Sequence, residues 1–443
     1  VNLLLALART YRSLGQYQKA LDLLESLRAE PWRSTSVQAE YYDELARDKS
    51  ALGRPREALD ELNRAVTLKD TAERRFFLSQ LAEQIGDHKE ARRQLEAAVA
   101  AEPGNMEYKA ALAYMLRASG DLAAAAQLLS EVLAAEPQRY RLHEDLGYIY
   151  LGLGENESAI NEFKWVIDHR ELYPADAPEG RAATEHKIEA LRRAISSIEP
   201  HWWASAYSNL CLAGPHCNAR TPNLGSIISS NQGGVQVAYQ PPGIGYVDGR
   251  TFEAFARTFF SYAPGTVEPQ GKSFQGGIGA RFKPLKDYNL VLFGERLIKL
   301  GAFAQNNWEA RAAFSTSSGY LLEVEAERSW YSLLYVDLAT TLESPHQYLT
   351  YADGRAGPNY RLADRLAISP FVYGTFRGNF GAGRNTSAET GVGVSLRGFF
   401  DFEEDKYHDL RGSAELLPRL GYTVYDTRAP RGVVFSITLI ARY

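Results

Sequence analysis

From residue 250 onward, charged side chains return again and again at every second position. Arg257, Arg281, Lys283, Lys299, Arg311, Arg355, Arg377, Arg397, Arg419 and Arg442 stand against Glu253, Glu295, Glu309, Asp337, Asp353 and Glu415. They alternate with apolar residues, as in the run Gly277-Ile278-Gly279-Ala280-Arg281-Phe282-Lys283. A period of two places the two kinds on opposite faces of a strand. If the apolar faces meet lipid, the charged faces turn inward and line a hydrated channel, mixed in sign and net basic. The chemistry of such a lining is weak, repeated binding that lets a polar polymer slide. The competing reading puts the same charges on the solvated outer face of a two-sheet sandwich.

Reactive constellations are missing. No serine sits in a Gly-x-Ser-x-Gly elbow, and the eight histidines are scattered. Gly271-Lys272-Ser273 ends like a phosphate loop, but Gly265 stands one residue too far upstream and no helix follows. Cys211 and Cys217 lie six apart, and an oxidising compartment favours a small disulfide between them. His216 beside them leaves the set short of a closed zinc site, so no metal is expected. Asp401, Glu403, Glu404, Asp405 and Asp409 read as a solvated acidic loop rather than a cation site. His143-Glu144 lacks the second histidine of a zinc motif. These absences point to binding or transport rather than catalysis, and no cofactor is expected.

The elements that would carry the charges are strands. Thirteen candidates are 202–209, 234–240, 251–262, 272–284, 287–298, 306–315, 320–326, 330–342, 348–360, 367–380, 388–400, 411–426 and 432–443. Many run ten residues or longer, as membrane strands do, where soluble strands average about 5–6. In the last, Val433, Phe435, Ile437, Leu439, Ala441 and Tyr443 form an apolar face, leaving Thr438 and Arg442 to face inward. That strand must pair with 202–209 to close a cylinder. Both chain ends on one side demand an even count, so the expectation is a 12–14-stranded antiparallel transmembrane barrel. Either 320–326 joins 330–342, or a strand lies within 217–230. Trp202, Trp203, Trp330 and Tyr443 near strand ends suit interfacial girdles, and the loop 210–233 should face the exterior.

Before this half comes a repeat. Gly15, Gly53, Gly86, Gly120 and Gly154 are spaced 38, 33, 34 and 34 residues apart, each followed five residues later by alanine and preceded eight residues earlier by leucine. Pro31, Pro103 and Pro137 close three of the second helices. This resembles the tetratricopeptide repeat, with a helix pair per unit and a stack that buries what one pair cannot. Thr184 to Ile198 reads as a capping helix. The resemblance places Arg9, Arg12, Asp43, Arg47, Phe76, Gln80, Tyr114, Arg117, Glu144 and Tyr148 along a concave groove, where such solenoids take protein partners.

Composition sets the boundary. Residues 1–200 hold 9 of the 36 glycines and 3 of the 19 phenylalanines. The shift falls at Pro200, giving a helical solenoid over 1–200 and a barrel over 201–443. The net charge of −5 gives no basic surface for nucleic acid. No apolar run reaches the 18 residues of a membrane helix. Val1 to Leu14 reads as the interior of an amphipathic helix, so the expectation is a start inside a longer chain.

The strand half carries more specific signals. Gly233-Gly234-Val235-Gln236-Val237-Ala238-Tyr239-Gln240-Pro241-Pro242 is similar to the C-terminal domain of the bacteriophage adsorption protein A family, NfrA. So are Glu295 to Gly301, Asn306-Asn307-Trp308 and Ser329-Trp330-Tyr331. The resemblance implies a bacterial outer-membrane barrel with its helical domain in the periplasm. It also implies an inner-membrane glycosyltransferase as partner, an exported surface glycan, and a phage tail protein as an outside ligand. The function expected is therefore a porin-like exopolysaccharide exporter that also serves as phage receptor. The alternative is a non-conducting receptor or assembly scaffold that binds periplasmic proteins through its repeats.

Overall fold

The five repeat glycines have φ of +72° to +85°, the left-handed region that closes a helix at its C-terminal end without strain only for glycine. In the computed structural model each separates the two helices of a pair. The model describes residues 2–28, 32, 34–172, 180–215, 217, 231–263, 266–319, 328–344, 346–381, 385–401 and 405–443. The pairs are α1 (Asn2–Ser13) and α2 (Tyr17–Ser26), α3 (Thr35–Ala51) and α4 (Pro55–Leu68), α5 (Ala72–Gln84) and α6 (His88–Ala101), α7 (Met106–Ala118) and α8 (Leu122–Ala135), and α9 (Tyr140–Leu153) and α10 (Asn156–Asp168). A further helix, α11 (Gly180–Ile198), follows.

Local chemistry starts these helices. Thr71, Asp87 and Asn105 accept hydrogen bonds from the first free backbone N–H groups of α5, α6 and α7. Pro55 opens α4, where its missing N–H loses nothing. Ala20, Ala58, Ala91, Ala125 and Ala159 are fully buried, because each lets two helices of a pair approach closely.

The chain packs as two units, Val1–Tyr150 and Leu151–Tyr443. The change from helix to strand falls at Pro200, between α11 and β1 (His201–Ala213). The break in packing comes earlier, so α10 and α11 belong with the strands.

After β1 come β2 (Gln232–Gln240), β3 (Tyr246–Val247), β4 (Arg250–Ser261), β5 (Gln275–Lys283), β6 (Asn289–Lys299) and β7 (Asn307–Ser318). Then follow β8 (Arg328–Thr341), β9 (Tyr348–Ala363), β10 (Leu366–Asn379), β11 (Asn385–Phe400), β12 (Gly412–Asp426) and β13 (Gly432–Arg442). Every neighbour pairs antiparallel. β2 pairs with β1 and β4, and β13 pairs with β1, while β3 is a two-residue extension on β4. Among the described residues, twelve strands thus close a cylinder. The candidate strand 320–326 lies outside the described residues.

Closure runs in register from Ser205↔Arg442 to Asn209↔Thr438, and Ala204 and Tyr443 exchange backbone hydrogen bonds. An even count returns the chain to the rim it left. Turns 241–249, 364–365 and 405–411 lie on that near rim; 214–215, 266–274, 346–347 and 427–431 lie on the far one. Cys211 and Cys217 are disulfide-bonded at the far end of β1. Asn231 fastens the loop, its Oδ1 accepting from Cys211 N–H and its Nδ2 donating to the Cys217 carbonyl.

The outer face is apolar and open. Val235, Val237, Ile278, Leu292, Leu338, Val372, Val392, Leu420 and Leu439 are each 41–61 % exposed. So large a belt of bare hydrocarbon is what a bilayer, not water, covers. Among the described residues no helix is long and apolar enough to cross a membrane.

Candidate functional site

Strand pairing sets which side chains turn inward. Trp203, Ser205, Tyr207 and Asn209 of β1 face the interior opposite Ala238, Gln236, Gly234 and Gln232 of β2. Carrying the register around the wall places Arg257, Arg281, Lys283, Glu295, Lys299, Glu309, Arg311, Asp337, Asp353, Arg355, Arg377, Arg397 and Arg419 on the inner face.

Alternation alone put these groups on the inner face but did not say which of them meet. They hold one another. Arg257 grips Glu295 with Nε and Nη2, the former at 2.8 Å, and lies 3.7 Å from Glu309. Arg281 pairs with Glu253, which also accepts from Trp203 Nε1 at 2.9 Å. Arg311 donates to Asp337 at 2.8 Å and to Tyr335 Oη at 2.8 Å. Arg355 and Arg419 share Asp353 at 2.7 and 2.9 Å. Arg397 reaches Asn359 and Ser369 at 2.7 Å each, Ser395 donates to Glu415, and Arg377 lies 3.9 Å from Glu389. Glu295, Glu309, Asp337 and Asp353 are 1–2 % exposed. Several pairs bridge over an intervening strand on the inner face: Arg257 of β4 reaches Glu295 of β6, and Arg397 of β11 reaches Asn359 of β9.

Aromatic rings fill what the charges leave. Tyr331, Phe371, Tyr373 and Leu417 form one cluster, and Trp203, Ala238 and Phe255 another. Arginines lie over these rings: Arg281 over Trp203 at 4.5 Å, Arg419 over Tyr373 at 4.9 Å and Arg397 over Tyr331 at 5.0 Å. Glycine makes room for them. A Cβ at Gly277 would collide with the Glu295 carboxylate, and one at Gly393 would fall 2.6 Å from the Phe371 ring. Glu389, paired with Arg377 and with Tyr373 Oη, escaped the sequence reading although it alternates within β11 as the others do. With it, Arg257, Arg281, Arg311, Arg355, Arg377, Arg397 and Arg419 face Glu253, Glu295, Glu309, Asp337, Asp353, Glu389 and Glu415. At the centre the two signs balance, seven against seven; Lys283, Lys299 and Arg442 toward the rims leave the inner face as a whole net basic.

The girdle residues divide. Trp202 and Trp330 face outward, 68 % and 61 % exposed. Trp203 turns inward and is buried, because β1 presents alternate residues to opposite faces. Arg442 lies over its ring at 4.6 Å. Thr438 donates to Asn209 at 2.9 Å, facing inward as its parity required.

Part of the acidic loop docks instead of standing free in solvent. Lys406 Nζ lies 2.6 Å from Asp168 of α10, and Tyr407 Oη donates to the same carboxylate at 3.0 Å. His408 bridges Glu199 and Asp405 at 2.6 Å each. Arg192 of α11 donates to the Lys406 carbonyl, and Gln240 donates to the Ser197 carbonyl. Burial opposes ionisation of Asp168, but the Lys406 and Tyr407 hydrogen bonds hold its carboxyl below the usual range. Glu403 and Glu404 lie outside the described residues, as does His216. Among the described residues no cluster of three His, Cys, Asp or Glu could hold a metal ion.

In the first unit the groove candidates come together in two sets. Arg9 and Arg12 both reach Glu44, and with Arg47, Phe77 and Gln80 they surround a cleft of about 570 Å³. Arg47 pairs with Asp43 and Glu73 and lies over Phe77 at 5.1 Å. Phe76 packs on Tyr108 at 4.7 Å. Farther along, Tyr114 and Arg117 both donate to Asp145 at 2.7 and 2.6 Å, and Tyr148 is 45 % exposed. Beneath the first set Asp48 is fully buried, and burial raises its carboxyl to about 6, against the pull of Arg12.

A closed antiparallel barrel with an apolar belt, joined to helical repeats, defines the class: a β-barrel protein of the outer-membrane type bearing a tetratricopeptide solenoid. Residues 267–424 match the family described as Bacteriophage N adsorption protein A C-term, and residues 44–105, 78–140 and 116–167 match tetratricopeptide repeats. The match takes in the Glu295–Gly301, Asn306–Trp308 and Ser329–Tyr331 runs. Bacteriophage adsorption protein A of Escherichia coli (strain K12) is 24% identical over 351 residues, 77% of this chain. The chain spans 35% of that relative's length. Among solved structures, MamA is similar at 21% identity over 37% of this chain and 94% of its own, with a TM-score of 0.34. MamA from Desulfovibrio magneticus RS-1 is similar at 18% identity over 39% and 96%, with a TM-score of 0.35.

Proposed function

We propose that this chain is a receptor and assembly scaffold of the bacterial outer membrane. The barrel is an anchor whose interior is occupied by its own side chains. Its far-rim loops, including the disulfide-closed loop after β1, meet a phage tail protein. The repeats lie on the periplasmic side and take protein partners along their groove. One observation carries the reading: the inner face pairs its arginines with carboxylates and packs them on aromatic rings, which leaves its acidic groups almost without exposure. The relative's name supplies the phage.

Glycan export through the barrel, fed by an inner-membrane glycosyltransferase, requires a different state. The Arg257–Glu295, Arg311–Asp337 and Arg419–Asp353 pairs would have to part to admit a polymer. Planar-bilayer recording of the full chain tests the choice. The anchor reading expects no steady ion conductance, together with phage adsorption to cells that display the chain. A stable open pore, or export lost on neutralising Arg281, Arg377 and Arg397 together, would replace it with the exporter.

A further inference from the structure

Three prolines of the barrel wall fall in one line. In β8 and β9, Trp330 stands opposite Pro358; in β10 and β11, Pro370 stands opposite Val394; in β12 and β13, Pro418 stands opposite Ile437. All turn outward, forming a row that crosses six strands. A second row lies two residues away along each strand, formed by Ala356, Val372, Val392, Leu420 and Phe435, each opposite the next. Proline has no N–H to give a neighbouring strand. Pairing accordingly lapses between β9 and β10 from Ile368 to Val372, and between β11 and β12 from Gly393 to Leu396. Between the two rows runs a groove of about 660 Å³.

We infer that this groove is a binding site for one hydrocarbon chain of a membrane lipid. The inference rests on the membrane reading of the barrel and goes beyond it, since it singles out one place on the belt. A polar ligand would need convergent polar groups, and neither row brings a charged or hydrogen-bonding side chain other than Trp330. Phe371 and Arg419 also border the groove, but their side chains turn inward, to the aromatic cluster and to Asp353. The groove is continuous with the apolar belt on both sides, so its occupant is what the belt already faces. Short proline rings between flanking side chains leave a trough here.

The test reconstitutes the full chain with phosphatidylethanolamine carrying a photoreactive diazirine on its acyl chain. After irradiation, adducts are mapped by peptide mass spectrometry. Labelling at 356–358, 370–372, 392–394 and 418–420 is expected to exceed that at Val235, Val237 and Ile278 by about threefold or more. Filling the trough with Val392→Trp should remove the excess and leave the comparison residues unchanged. The wild-type map decides the matter alone if that variant does not assemble. Even labelling around the whole belt overturns the groove while leaving the membrane barrel intact. No labelling anywhere on the strands overturns the membrane reading and the groove with it. Crosslinks between two copies of the chain across these rows would assign the groove to a second protomer and overturn the lipid.

Discussion

Arg419 of β12 donates to Asp353 of β9 at 2.9 Å, although β10 and β11 separate them on the wall. The contact bridges two intervening strands on the inner face. Asp353 takes a second guanidinium from Arg355 and is 1 % exposed, so one carboxylate compensates two buried cations.

Replacing Asp353 by Asn is therefore expected to destabilise the barrel by about 3–5 kcal/mol, the cost of leaving buried charge unpaired. Gel mobility of unheated and heated samples in detergent would report the lowered melting midpoint. Adding Arg419→Met should restore part of the loss. If Asp353→Asn melts with the wild type, water reaches the interior freely and the filled-anchor reading is wrong.

Asp48 gives a pH dependence for the first unit. Its carboxyl rises from an ordinary value near 3.8 to about 6 in the folded state. The folded chain thus holds a proton that the unfolded chain releases, and stability is full below the unfolded value and lost as pH rises through about 6. The loss amounts to about 3 kcal/mol. Asp48→Asn should raise the melting midpoint of the helical unit at pH 8 and leave it unchanged at pH 3.5. A variant that melts like wild type at pH 8 would remove Asp48 from the account.

The docked loop at the near rim predicts a local effect. Lys406→Ala with His408→Ala removes the lysine partner of Asp168 and the histidine partner of Glu199. Hydrogen exchange in α11 should speed up by about tenfold, while exchange in β11 and β12 stays as it was. Faster exchange throughout β11 and β12 would show that the loop supports the barrel itself rather than holding the helices to it.

Much of this architecture was legible because simple periods encode it. Five glycines at near-constant spacing announced the left-handed turns, and alternation in 433–443 announced which residues face out and which in, down to the inward Thr438 and Arg442. The wall was readable because each strand repeats the same two-residue rule. What filled the cylinder was not. Alternation tells which face Glu295 occupies but not that Arg257, two strands away, will reach it. That depends on cylinder width and on small residues such as Gly277 opposite large ones. Trp203 shows the same limit, since nearness to a strand end suggested a girdle while parity sent it inward. The acidic loop was misjudged for a related reason: its partners Asp168 and Glu199 lie more than two hundred residues earlier and have no local signature.

The register that joins Ser205 to Arg442 also carries a consequence for how the molecule is made. Closure is the longest-range pairing in the barrel, and it waits on the last strand to be synthesised. Until then, β1 and the strand formed last each present an unpaired edge, a template for wrong partners. A chain left in that state for the seconds that translation and transport take is exposed to aggregation. The seam between first and last strand is thus a kinetic bottleneck as well as a bond, and an assembly factor that shields one open edge would act most strongly there.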